Sequence, residues 1–265
     1  MREQINSSAT QHIKPIEPNC LENHFQSNVY LSGDTHGHFD RIISFCNKQN
    51  VTSKDTLIIL GDAGLNYWGD WRDKKNKVRL SKIPINFFCI HGNHEMRPSE
   101  ALGYEQSEYH GGKVWAQPEY PNILFAMDGE IYNFNENVCL VIGGAYSVDK
   151  YYRLTNGLNW FPDEQPSEEI KSKVEQVLSK HDWNIDIVLS HTAPLKYEPT
   201  EVFLPMVDQS TVDKSTEAWL DTIETKLNYC RWYCGHYHTE KSVDKLRFMY
   251  NDYALLPPYR ITSIN

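Results

Sequence analysis

The chain has 265 residues, of which 40% are hydrophobic, 12% aromatic and 23% charged, an ordinary globular composition that excludes a disordered, collagenous or coiled-coil protein. Lys and Arg number 26 against 35 Asp and Glu, giving a formal net charge of −9 and a pI near 5.6, which argues against a broad basic surface for long nucleic acid. No apolar stretch approaches the roughly 20 residues that span a bilayer, and residues 1–18 are polar, without the apolar core of a leader, so the expectation is a soluble cytoplasmic protein.

No internal repeat, linker or composition break divides the sequence, which reads as one domain over 1–265 with residues 1–27 as an N-terminal extension. A β-type run at 29–31 is followed by a helical pattern of Phe39, Ile42, Ile43 and Cys46, then by a second β-run at 56–60. Residues 66–82, with Trp68, Gly69, Trp71 and several lysines, fit neither element and are expected to form a loop, with the two tryptophans as a candidate lid. A third β-run occupies 85–90. Two strand-like stretches, 130–134 and 138–142, are joined by Asn135-Glu136-Asn137 and predict a hairpin. After a loop-like, aromatic and basic stretch at 142–153, a helix is predicted from Ser167, which can cap it, with Glu168 and Glu169 at its positive end and Ile170, Val174, Val177 and Leu178 on one face. A β-run at 185–189, a helix carrying Trp219, Leu220, Ile223 and Leu227, and an aromatic strand at 229–234 complete the pattern. Near-continuous apolar runs are strands buried on both faces, and together with a hairpin they point to an α/β domain of layered sheets. The cysteines, Cys20, Cys46, Cys89, Cys139, Cys230 and Cys234, are scattered and read as reduced thiols; the one close pair, Cys230 and Cys234, lacks the further ligands that structural zinc requires.

The chemistry lies where these strands end. The runs lead into Gly33-Asp34-Thr35-His36, Gly61-Asp62, Gly92-Asn93-His94-Glu95, Ser190-His191 and Gly235-His236-Tyr237-His238. In open α/β sheets ligands bind outside the carboxyl ends of the strands, so these residues are expected to converge. Asp34, His36, Asp62, Asn93, His191, His236 and His238 form an imidazole, carboxylate and amide set without a thiolate. It is too rich for one tetrahedral zinc and suits two metals sharing a carboxylate, with Mn, Fe, Co, Ni or Zn acceptable and Cu(I) or iron–sulfur disfavoured.

In these five ordered motifs, D-x-H, GD, GNH, an isolated His and GHxH, running from Asp34 to His238, the chain resembles the calcineurin-like metallophosphoesterases. The resemblance implies a four-layer α/β/β/α sandwich of two mixed sheets, with the site at the strand carboxyl ends. It also implies two divalent metal ions, manganese foremost. Asp34, His36 and His238 would hold one and Asn93, His191 and His236 the other, with Asp62 bridging. A hydroxide shared by the metals would attack phosphorus, and His94, not a ligand, would orient the phosphoryl group or protonate the leaving oxygen.

Two departures bear on substrate. The Ser/Thr protein phosphatase branch continues its second motif to Asp-Arg-Gly and places an Arg before GNH. Here residues 61–67 carry neither and His91 precedes Gly92, so the guanidinium clamp for a phosphomonoester dianion is missing from those positions. Phosphodiester or nucleotide hydrolysis therefore leads, with short or structured nucleic acid among the partners. A protein or metabolite phosphomonoesterase is the alternative, and a non-catalytic binding module the third reading. Residues 142–153 also bear a loose likeness to the RNA lariat debranching branch. His91, Tyr146, Lys150 and Arg153 are candidate substrate contacts, Tyr151 and Trp115 further stacking surfaces, and Glu95 a candidate acceptor for a ligand histidine.

Overall fold

Strand by strand, side chains alternate between two environments, and that alternation builds the layers. The computed structural model describes residues 27–258; the expected N-terminal extension, apart from residue 27, and Cys20 lie outside them. β1 (Val29–Ser32), β2 (Thr56–Ile59), β3 (Asn86–Cys89) and β6 (Ile123–Ala126) pair in parallel. β5 (Gly112–Ala116) and β4 (Glu105–Tyr109) extend this sheet antiparallel, and β13 (Ala254–Leu255) closes its other edge on β1. The second sheet holds β7 (Ile131–Phe134), β8 (Asn137–Ile142), β9 (Ile187–Ser190), β10 (Arg231–Cys234), β11 (Lys241–Val243) and β12 (Leu246–Phe248), with β8, β9, β10 and β12 parallel.

Leu31, Ile58 and Phe88 of the first sheet meet Phe134, Val141 and Leu189 of the second in a dry central core. The alternate residues Leu57, Ile59, Phe87 and Cys89 face outward onto Ile42 and Cys46 of α1 (Asp40–Gln49) and Leu80 of α2 (Trp71–Leu80). On the opposite side Leu140, Val188 and Trp232 pack against Val174 and Leu178 of α4 (Glu168–Lys180) and Leu220 and Ile223 of α5 (Ser215–Lys226). These are the four layers, α/β/β/α with two mixed sheets. Each fully buried Leu, Ile or Phe contributes roughly 1.5–3 kcal/mol of transfer free energy to them.

The predicted hairpin is β7–β8. Asn135 and Glu136 both take left-handed φ, 52° and 65°, the signature of the two-residue turn whose twist matches the strands. Ser167 caps α4 by accepting from the Ile170 N–H. Two loop expectations are corrected. Within 66–82, α2 is a full helix capped by Asp70, and its buried stripe is Asp73, Lys77 and Leu80. Two charges in three buried positions hide the helical period from a hydrophobicity reading. Within 142–153, the short helix α3 (Lys150–Thr155) begins at Lys150 and buries no residue. Cys46, Cys89, Cys139, Cys230 and Cys234 are free thiols. Among the described residues no helix is long and apolar enough to cross a membrane.

Candidate metal centre

The carboxyl ends of β1, β2 and β3 from one sheet and of β9 and β10 from the other meet at one edge of the sandwich, so the residues immediately after them converge. The approach is too close for ordinary side chains at the turns. A Cβ on Gly92 would land on Asp62 Oδ1, and one on Gly61, at φ +97°, would land on the His191 ring. Four non-glycine residues of the cluster also hold left-handed backbone: His36 (47°), Asp62 (47°), His236 (66°) and His238 (48°). Such conformations cost energy and persist where packing over-determines them, as at functional sites.

Asp34, His36 and His238 form one group of converging ligand atoms. Asp34 Oδ1 accepts from the His236 N–H at 2.9 Å. Its Oδ2 lies 3.3 Å from His238 Nε2 and 3.8 Å from His36 Nε2, buried and without a hydrogen-bond partner. The Nε2 atoms of His36 and His238 are 2.9 Å apart. Burial alone would raise the Asp34 carboxyl, but His238, His191 and His36 hold it well below the usual carboxylate range, while His238 beside Asp34 is raised in turn.

Asp34, Asp62 and His191 form a second group of converging ligand atoms, with Asn93 and His236 gathered beside His191. His191 Nδ1 lies 2.8 Å from the Leu60 carbonyl, which can only accept, so Nδ1 donates there and Nε2 is the nitrogen left to face the cluster. His191 Nε2 faces Asn93 Oδ1 at 2.8 Å and Asp62 Oδ2 at 3.8 Å. Asn93 is itself fixed, its Nδ2 donating to Ser147 Oγ at 2.9 Å, which turns Oδ1 toward both His191 and, at 3.1 Å, His236 Nδ1. Burial, reinforced by His191, pushes His236 down to about 3. Asp62 faces histidines of both groups: Oδ1 accepts from the His94 N–H at 2.8 Å, and Oδ2 is 3.8 Å from both His36 Nδ1 and His191 Nε2. One buried oxygen without a partner and a close-set group of imidazole, carboxylate and amide atoms are what a pair of divalent cations would satisfy.

The cluster opens into a cavity of about 640 Å³ whose floor includes His36, Asp62, Asn93, His94, His236 and His238. Burial pulls the His94 imidazole down, against the opposing pull of Asp62. Tyr146 and Arg153 line the walls. Arg153 is tied in place, Nε donating to Asp149 Oδ2 at 2.8 Å and Nη1 to the Tyr67 hydroxyl at 2.9 Å. Other expected contacts are not brought here. His91 is 3% exposed, has both ring nitrogens unpartnered and does not line the cavity; it is a core histidine, held well down by burial. Lys150 lies over the Trp160 ring at 4.2 Å, off the cavity, and Tyr151 projects from α3 into solvent. Trp115, on β5, packs against the outer core of the first sheet. Trp68 lines the cavity, whereas Trp71 is exposed away from it. Glu95 is buried but does not reach a ligand imidazole: its Oε1 accepts from the backbone N–H of Gly92 at 3.3 Å and Ala63 at 3.4 Å, bracing two motif turns against each other.

The sequence reading missed the wall opposite Arg153. Val202, Phe203, Leu204, Val207 and Val212 come from irregular chain and short 3₁₀ turns without any period. It also missed Glu217, buried in the first turn of α5, a place where an acid reads merely as complementing the helix dipole. Burial pushes Glu217 up to about 7.

Over residues 27–240 the sequence matches the calcineurin-like phosphoesterase family. Among solved structures, TT1561 of Thermus thermophilus is similar at a TM-score of 0.49 and 10% identity, over 85% of this chain and 90% of that one. AQ665 from Aquifex aeolicus, a protein of unknown function, is similar at a TM-score of 0.31 and 16% identity, over 65% and 82%. No curated protein matches the chain.

Proposed function

The chain belongs to the calcineurin-like phosphoesterase family, and from that premise we propose that it hydrolyses phosphodiester or nucleotide substrates with two divalent metal ions, manganese foremost. Asp34, His36 and His238 would hold one ion, Asn93, His191 and His236 the other, and Asp62 both. When bound, the ions supply an activated water for in-line attack and neutralise charge on the phosphoryl oxygens. The chain's own residues do the rest. Leu60 and Ser147 fix the tautomer of His191 and the amide orientation of Asn93. Asp62 accepts from the His94 N–H, which sets that ring at the cavity floor, where it can orient the phosphoryl group or give a proton to the leaving oxygen.

The diester reading is carried by the cations of the cavity: Arg153 is the one Lys or Arg among the described lining residues, and Asp149 already matches its charge. A phosphomonoester dianion calls for a guanidinium clamp, and a monoanionic diester does not. The five cysteines among the described residues are free thiols and fit a reducing compartment, which supports a cytoplasmic location.

The test is hydrolysis of an activated diester and the matching monoester of the same phenol after reconstitution with Mn²⁺, with Asp62→Asn as the blank. The expected result is diester preference, lost by about 10²-fold or more in a folded Asp62→Asn protein. Monoester preference would promote the phosphatase alternative, and silence on both with metal bound would overturn the enzymatic reading.

A further inference from the structure

Above its metal-binding floor the cavity is apolar and acidic, not basic. Asp149, Glu198, Asp213 and Glu217 all line it. Two of these are matched by cations, Asp149 by Arg153 at 2.8 Å and Glu198 by Lys214 at 2.7 Å. Asp213 accepts from neutral donors, Gln165 Nε2 at 3.1 Å and the Ser215 N–H at 2.9 Å. Glu217 is 4% exposed; its Oε1 accepts from Thr192 Oγ1 at 2.8 Å, and its Oε2 has no hydrogen-bond partner. A buried acceptor left open in this way costs about 1–3 kcal/mol and calls for an explanation.

Its position supplies one. Thr192 follows His191 directly, and Thr192 Oγ1 also lies 3.2 Å from the hydroxyl of Tyr237, which stands between His236 and His238. Glu217 is thus one side chain away from both histidine-bearing turns. Phe203 and Tyr237, their rings 6.3 Å apart and nearly parallel, line the same cavity, and the Lys214 ammonium already stands 5.0 Å from the Phe203 ring centre. We propose that Glu217 is a specificity-determining residue that receives an ammonium group on the non-leaving alcohol of the substrate, so that the preferred substrates are phosphodiesters of short amino alcohols. This rests on the phosphodiesterase reading of the same site. An orphan carboxyl oxygen is completed by an N–H donor that carries positive charge, whereas the second phosphate of a nucleic acid would meet the like charge of Asp213 on the same wall.

The experiment compares kcat/KM of the Mn²⁺-loaded protein on three 4-nitrophenyl phosphodiesters that share a leaving group and differ in the second alcohol: 2-aminoethyl, 2-hydroxyethyl and propyl. The aminoethyl ester is expected to exceed both others by about tenfold or more, the range of a charge-assisted hydrogen bond, and Glu217→Gln, which keeps an oxygen for Thr192, is expected to bring the ratio near one. Equal turnover of the three esters, or an aminoethyl ester no better than the hydroxyethyl one, overturns the inference and leaves the phosphodiesterase reading standing. If no ester turns over, that reading fails. The inference is then decided by binding of ethanolamine against 1-propanol, followed by NMR shifts in wild type and Glu217→Gln: equal binding of the two, or no effect of the substitution, overturns it. Should Glu217→Gln not fold, Glu217→Asp, which keeps the acid but draws it back by one methylene, is expected to lower the aminoethyl ratio severalfold, and an unchanged ratio overturns the proposal.

Discussion

Asp62 concentrates several duties at one strained position. Its carbonyl accepts from the Thr35 and His36 N–H groups at 3.1 and 2.8 Å, one carboxylate oxygen takes the His94 N–H, and the other faces two histidines from different motifs. Gly92 protects this arrangement, because any side chain there would occupy the place of Asp62 Oδ1. Gly92→Ala is therefore expected to lower both bound metal and kcat/KM, the latter by about 10²-fold, as a misplacement of reacting groups by about 1 Å does. Elemental analysis beside kinetics checks it, and wild-type values in both would show that the turn can yield. His94 differs from its neighbour Asn93 in kind: the two sit in a bend beyond β3, where Asp62 holds the His94 N–H, and the amide meets His191 and His236 while the imidazole meets the cavity. His94→Ala is expected to slow esters with poor leaving groups by about 10²–10⁴-fold and activated esters much less. Equal losses across a leaving-group series would reject proton donation and leave only orientation.

Among the elements, the β7–β8 turn offers the sharpest stability test. Glu136 holds φ 65°, where a Cβ is disfavoured by roughly 1–2 kcal/mol, so Glu136→Gly, completing an Asn-Gly turn, is expected to stabilise the protein by about 1 kcal/mol after the added freedom of glycine in the unfolded chain is deducted. At the start of α4, Ser167→Ala removes the acceptor for the Ile170 N–H and is expected to cost about 1 kcal/mol. Urea midpoints measure both, and the opposite sign in either would contradict the turn or the cap. These two elements were legible because their signals are local and chemical. The strands that carry the ligands were legible because burial on both faces leaves unbroken apolar runs, each ending in Gly or Ser and a polar residue. The helix α2 was not, since Asp73 and Lys77 occupy its buried stripe: Asp73 accepts from the Trp68 and Gly69 N–H groups, and Lys77 donates to Asn66 and Gln117. β4 was not, because most of its residues are exposed and no alternation marks it. At the site, ligands that follow strands could be read from order and spacing. The apolar wall of residues 202–212 could not, because 3₁₀ turns and irregular chain impose no period on their sequence.

Across the whole molecule, buried titratable groups tie stability to pH in opposing directions, and Glu217 can be separated from the rest. Burial lifts its carboxyl from an ordinary 4.5 to about 7, so the folded state holds a proton that the unfolded state has released. The resulting stabilisation is fully present below pH 4.5 and is lost as pH rises through about 7, amounting to about 3 kcal/mol. Glu95, pushed up to about 8 by burial and then by the charge of Asp62, acts in the same sense. His236, pushed down to about 3, together with the lowered His91 and His94, acts in the other, adding stability as pH rises toward 6.5. The slope of the wild-type profile therefore reports a sum. The difference between wild type and Glu217→Gln cancels the histidines and Glu95 and leaves the one carboxyl, since glutamine keeps the Thr192 contact without titrating. In metal-free protein, wild type is expected to lose about 3 kcal/mol relative to Glu217→Gln between pH 4.5 and pH 8, read from urea unfolding at matched ionic strength. A difference that stays constant across that range would mean that Glu217 remains ionised in the fold and that its second oxygen already has a partner of opposite charge.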